Sequence, residues 1–279
     1  MQSKYIGPLI LLMANLFFMG SFSLAKVLSG VVPVPMVMMA RFVAGPLYLI
    51  PFFILMRKSF SIDRWGVLAA RITFGLLAMF CLFNAFRLGD VGKSTLIFEC
   101  STLWAFIAAA FVFKERPHKW SIAAVPLAFV GLYFVIQPTN LWEISIGEGY
   151  ALLGSFFNMG VYLTLKELRR TNDTYSIVIA TYAVAAVLTG IPTVAIGIAP
   201  TMTQLGLLLV MGSVGLCGQL CFTLGFKYAP AGVSSMMMLV SIPLMYISGT
   251  LFFGEVVNLV GMVGILLVVL SLGVISRYQ

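Results

Sequence analysis

The chain has 279 residues, 61% of them hydrophobic and 9% charged, with a formal net charge of +8. A soluble domain carries about 25% charged residues, so the composition excludes a free globular domain. It also excludes nucleic-acid binding, because no segment outside the apolar runs is long enough to build a basic face. Uncharged runs at Tyr5–Ala25, Trp120–Trp142 and Val256–Ser276 each exceed the roughly 18–20 apolar residues that cross hydrocarbon.

Taken in chain order, apolar windows and their breaks predict ten transmembrane helices. The first, 6–27, carries a stripe of Asn15, Met19 and Phe22. Ser23-Leu24-Ala25 loosely resembles a cleavage site, but the run is too long for a signal core and the span is expected to be retained. The second, 34–56, holds Arg41 at mid-depth. The third, 65–87, has Arg71 about six residues from one end and Asn84 near the other. Arg71 is expected to snorkel to the interface.

The fourth helix, 93–113, is the most unusual. Glu99 lies about six residues, roughly 9 Å, from its outer end, where a carboxylate costs roughly 2.5–3.5 kcal/mol on insertion scales. Thr95, Glu99, Thr102 and Phe106 share one face of it. Trp104 lies off that face and reads as packing. Arg41 stands at about the same depth, so two readings stay open. Glu99 pairs with Arg41 to fix helix packing, or it meets a solute.

The fifth helix, 119–137, carries no polar stripe. The sixth, 148–167, places Ser155, Asn158 and Tyr162 along one side. The seventh and eighth are 175–197 and 203–226. The ninth, 232–253, shows Ser235, Leu239 and Tyr246, with Pro243 freeing a carbonyl. The tenth is 256–276. Each polar residue alone serves helix packing as readily as solute binding. The four cysteines, Cys81, Cys100, Cys217 and Cys221, lie in apolar runs without metal-ligand spacing. No metal or cofactor is expected.

The positive charges sort by side. Lys4, Arg57, Lys58, Arg64, Lys114, Arg116, Lys119, Lys166, Arg169, Arg170, Lys227 and Arg277 fall on one side; only Lys26, Arg87 and Lys93 fall on the other. That bias predicts cytoplasmic termini. Glu115 and Glu255 read as surface loop residues.

An offset of 140 residues aligns the two halves without a gap. Met19-Gly20 meets Met159-Gly160, Lys26 meets Lys166, Cys81 meets Cys221, and Phe113-x-Glu115 meets Phe253-x-Glu255. Five helices per half force the second half to enter from the opposite face. The expected architecture is therefore an all-α membrane protein with two inverted five-helix repeats, 1–139 and 140–279, around a central cavity.

Several motifs together resemble a known family. They are Phe18-Met19-Gly20-Ser21 with Lys26, Arg41-Phe42 with Pro51, and Ala85-Phe86-Arg87 with Lys114-Glu115-Arg116. The second half adds Gly225-Phe226-Lys227-Tyr228-Ala229-Pro230-Ala231, Pro243, Gly254-Glu255, Gly261 and Gly264. Over nearly its whole length the chain resembles a ten-helix EamA-type member of the drug/metabolite transporter superfamily. The resemblance implies a basket in which helices 1, 3, 4, 6, 8 and 9 surround the cavity while 5 and 10 pack outside. It also marks departures: Met19 stands where the family often has Trp, Leu103 where it often has Pro, and Glu99 where it is usually apolar.

The expectation is a secondary transporter of a small polar organic solute, such as an amino acid, amine or similar zwitterionic or cationic metabolite. The candidate solute contacts are Glu99, Arg41, Asn15, Phe22, Asn84, Thr95, Thr102, Phe106, Asn158, Tyr162 and Tyr246. A coupling proton or a counter-substrate stays open, and the bacterial inner membrane is the expected location. The alternative class is a membrane enzyme or a receptor-like structural protein. The one histidine, His118, sits in a loop, and no Walker, H-E-x-x-H or G-x-S-x-G motif is present.

Overall fold

The computed structural model describes residues 3–55, 57, 60–112, 119–136, 144–169, 171–228, 240–256 and 258–277. Its helices are α1 (Ser3–Ser29), α2 (Val34–Leu55), α3 (Trp65–Leu88), α4 (Val91–Glu99), α5 (Ser101–Val112), α6 (Lys119–Ile136), α7 (Ile146–Leu168), α8 (Thr174–Ile196), α9 (Met202–Tyr228), α10 (Ser241–Phe253) and α11 (Leu259–Arg277). Five of them, within α1, α2, α3, α8 and α9, are long and apolar enough to cross a bilayer. Gly197 and Gly254 close α8 and α10 with positive φ of 69° and 65°, the left-handed geometry that glycine adopts without a Cβ clash.

The burial pattern is that of a membrane protein. Leu55, Val194 and Met202 are 79–87% exposed on the outside, where lipid rather than water covers such a surface. Polar side chains are inside, and many hydroxyls satisfy themselves on their own helix. Ser29 donates to the Ala25 carbonyl, Thr189 to Ala185 and Ser271 to Leu267, at 2.6–2.7 Å.

Helix packing obeys an inverted repeat. α1 packs on α9 and α3 on α7, while α2 pairs with α8, α4 with α10 and α6 with α11. Under the offset of 140, α1 corresponds to α7 and α3 to α9, so the first two pairs exchange. The α2–α8 and α6–α11 pairs map onto themselves, as a two-fold relation requires; the counterpart of α4 lies outside the described residues. α6 and α11 lie together at the periphery, as the resemblance implied.

The fourth predicted helix, 93–113, is not continuous. It is interrupted at Cys100, whose N–H turns back to the Ile97 carbonyl at 3.3 Å instead of continuing the i−4 ladder. α5 restarts at Ser101, where Trp104 N–H reaches the Cys100 carbonyl. In the second half a helix begins at the equivalent residue. Val240 is a turn, α10 begins at Ser241, and Leu244 N–H reaches the Val240 carbonyl. Of the ninth predicted helix, 232–253, residues 232–239 lie outside the described residues. So do Lys114, Glu115, Arg116 and His118.

Contacts at the helix ends sort into the two faces that the charge bias predicts. On one face Lys26 donates to the Gly89 carbonyl, and Lys93 pairs with Glu148. Ser145 and Glu148 form a reciprocal capping box at the start of α7. On the other face Arg64 pairs with Glu167, and Asp63 N–H donates to Asn172 Oδ1 at 2.9 Å.

Glu255 is a correction in part: it lies in the loop after α10, but it is half-buried. Its carboxylate crosses from the second half to the start of α4 and accepts from Val91 N–H at 2.6 Å and Gly92 N–H at 3.2 Å. A helix N-terminus suits a carboxylate. Burial pushes the Glu255 carboxyl up from its ordinary value, while the two N–H donors pull it down. Glu255→Ala is expected to cost roughly 1.5–3 kcal/mol, the range for hydrogen bonds to a charged group. A thermal unfolding curve superimposable on that of the parent would contradict it.

Candidate functional site

A cavity of about 100 Å³ lies at the centre of the bundle. Phe18 and Phe22 reach it from α1, Arg41 from α2, Arg71 from α3 and Glu99 from α4. The second half contributes Asn158 and Tyr162 from α7, Tyr182 from α8 and Gln219 from α9. Helices α2 and α8, the second and seventh predicted spans, thus line the cavity, which corrects the expected ring of predicted helices 1, 3, 4, 6, 8 and 9. A larger hollow of about 410 Å³ lies among α2, α8 and α9, but no charged residue lines it. Charged side chains line the central cavity.

Arg41 is 2% exposed and held from three sides. Its Nη1 donates to Ser21 Oγ at 2.9 Å, and Ser21 donates onward to the Met211 carbonyl at 3.0 Å. The guanidinium carbon sits 5.6 Å from the Phe18 ring centre and 5.3 Å from that of Phe22, within cation–π range. Room for it comes from Gly215 on α9, where a Cβ would collide with Arg41 Nη1 and stand 2.8 Å from Ser21 Oγ.

Glu99 is the last residue of α4, immediately before the turn at Cys100. It is 7% exposed. Ser241 Oγ, the first residue of α10, donates to its Oε1 at 3.4 Å. Its Oε2 is buried without a hydrogen-bond partner among the described residues. The ion pairs formed among those residues join Arg64 to Glu167 and Lys93 to Glu148; Glu99 and Arg41 are not joined. The mate of Ser241, Ser101, accepts from Asn158 Nδ2 at 2.9 Å. Ser101 and Ser241, the first residues of α5 and α10, therefore bracket the polar centre of the molecule.

The structure brings Glu99, Arg41, Phe22, Asn158 and Tyr162 to one cavity. The other candidates stand apart from it. Asn15 is fully buried and donates to the Leu11 carbonyl at 3.0 Å. Asn84 donates to the Phe80 carbonyl on its own helix. Thr95 and Thr102 are buried away from the lining. The Tyr246 ring lies against Gly92. The Phe106 side chain lies outside what the structure describes. Trp104 packs as expected, donating to Ser155 Oγ at 2.8 Å and stacking on Phe156 at 4.5 Å.

Arg71 is a second correction. It does not snorkel: it is 7% exposed and lines the cavity. Tyr182, Gln219 and Thr223 were missed as cavity residues. Gln219, an amide within an apolar run, was the visible signal for α9. Among the described residues no group of His, Cys, Asp or Glu could hold a metal ion.

A duplicated bundle with a helix broken beside a buried polar centre fits the plan of a secondary transporter. The family comparison agrees: the EamA-like transporter family model matches residues 5–137 and again 145–277. The chain belongs to this family of multi-pass membrane transporters. It is 25% identical over 276 residues to the "Pseudopaline exporter CntI" of Pseudomonas aeruginosa strain UCBPP-PA14, covering 97% of this chain and 96% of that one. It is also 25% identical over 186 residues to an "Uncharacterized transporter" of Helicobacter pylori strain ATCC 700392 / 26695, covering 63% and 61%. One solved crystal structure superposes with a TM-score of 0.71 at 16% identity, covering 97% of this chain and 96% of the other. At that identity the likeness speaks for the fold alone.

Proposed function

We propose that the chain moves a small polar organic solute bearing an ammonium, an amino acid or similar zwitterionic or cationic metabolite, by alternating access. Glu99 contacts the ammonium, and Arg41 with the faces of Phe18 and Phe22 forms the opposite wall. One observation carries this reading: a buried carboxylate with an oxygen unpartnered among the described residues, at the edge of a cavity, where α4 gives way to α5 and α10 begins. Discontinuous helices at mid-membrane are where such carriers hold solute. The two halves, 1–139 and 140–279, act as one unit that rocks about this point, driven by a coupling proton or a counter-substrate. The charge bias supports cytoplasmic termini in a bacterial inner membrane. The name of the Pseudomonas relative supports export as the direction. No constellation among the described residues favours an enzyme.

The test is opposed accessibility. Single cysteines at positions 93 and 227, on opposite faces, are expected to change reactivity in opposite senses when L-alanine or L-glutamate is added to the reconstituted protein. Unchanged labelling at both positions, in a preparation that binds the solute, would count against rocking.

A further inference from the structure

The central cavity holds more positive than negative charge. Its lining contains two guanidinium groups, Arg41 and Arg71, against one carboxylate, Glu99. Arginine is not deprotonated in proteins, so the excess persists whatever the state of Glu99. The two arginines are not equivalent. Arg41 has a hydrogen-bonded serine and two aromatic faces. Arg71 has no such support: its Nε lacks a hydrogen-bond partner among the described residues. Neither described ion pair involves it.

Two further donors are in the same condition. The Tyr182 hydroxyl and Thr181 Oγ1, both on α8, are buried without partners among the described residues, and both residues line the cavity. Tyr182 is 3% exposed and lies within electrostatic reach of both Arg71 and Arg41. A guanidinium, a phenol and a hydroxyl thus border one cavity without an acceptor. A buried, uncompensated cation costs several kcal/mol, and an entering anion relieves that cost.

We propose that Arg71, Tyr182 and Thr181 form a second anion-binding pole of this cavity, and that the solute is an amino dicarboxylate. The inference rests on the reading of Glu99 as the ammonium contact. A diamine would add to the positive excess. An amino acid with one carboxylate would leave it unchanged. An ammonium with two carboxylates cancels it, with Arg41 facing one carboxylate and Arg71 the other.

The experiment uses the purified full chain in lipid nanodiscs, with L-glutamate, L-alanine, glutarate and putrescine as probes of thermal stability and affinity. Glutamate is expected to stabilise most, alanine less and putrescine not at all. Arg71→Gln should act in two opposite ways. Without solute it should raise Tm, because an unpaired buried charge is gone. It should weaken glutamate binding at least about tenfold, roughly 1.4 kcal/mol, and alanine binding by less than about twofold. Arg71→Lys should recover part of the glutamate affinity. A merely structural Arg71 gives a lower Tm without solute and equal losses for glutamate and alanine; either result overturns the proposal. Stabilisation by putrescine equal to that by glutamate, or by none of the probes, overturns it as well. Glu99→Gln separates the two readings. It should erase the preference for glutamate over glutarate and leave the dependence on Arg71 in place. If that preference survives, the ammonium contact is wrong, and the Arg71→Gln result still decides the second pole.

Discussion

Glu99→Gln is expected to slow solute transport by about tenfold to hundredfold, roughly 1.4–2.7 kcal/mol, the loss of a hydrogen bond to a charged group. The folded protein should survive, because the amide keeps the shape and can still accept from Ser241 Oγ, now 3.4 Å from Oε1. No ion pair is broken, since the Arg41 guanidinium is engaged by Ser21, Phe18 and Phe22 instead. Counterflow in proteoliposomes, with Tm measured on the same preparation, checks both halves of the statement. A normal transport rate in stable Glu99→Gln protein would sink the ammonium site. A fall in Tm that Arg41→Gln rescues would instead favour a packing ion pair reached in another conformation.

The second large effect is at Gly215. Any Cβ there meets Arg41 Nη1 and Ser21 Oγ, at the junction of α1, α2 and α9. Arg41 cannot yield cheaply, because its guanidinium is almost fully buried. Gly215→Val is expected to cost about 2–5 kcal/mol, combining overpacking with a displaced buried hydrogen bond. Gly215→Ala should fall near the lower end. Shortening the arginine removes the obstacle, so Arg41→Met with Gly215→Ala should lose less than the sum of the two single changes. Strict additivity would show that the glycine is not making room for Arg41.

The architecture was legible because its signals are long and redundant. Apolar windows locate helices whatever the details of packing. Gly, Cys and Lys matches at one offset announced the duplication that the helix pairings then displayed. Glu99 and Arg41 stood out because charge in an apolar run is rare. The break at Cys100 left no mark: no glycine or proline occurs from Ser94 to Val112. Arg71 was misread because distance from a helix end suggests snorkelling, whereas rotation about the helix axis decides whether the side chain points to lipid or inward. Asn15 and Asn84 show the converse. Each satisfies its amide on a carbonyl four residues earlier, so polarity on a cavity-forming helix did not imply a place in the cavity. Tyr182 carries no charge and was hidden among tyrosines.

The exchanged packing of α1 on α9 and α3 on α7 also fixes an order of events during synthesis. Arg41 depends on Ser21, and Ser21 on the Met211 carbonyl, 190 residues further along the chain. At about 5–20 residues per second, roughly 10–40 s separate the emergence of the two contacts. Through that interval Arg41 has Ser21, Phe18 and Phe22 of α1 to meet, but Ser21 lacks the α9 carbonyl onto which it donates. The contact network around Arg41 is therefore completed only when α9 arrives.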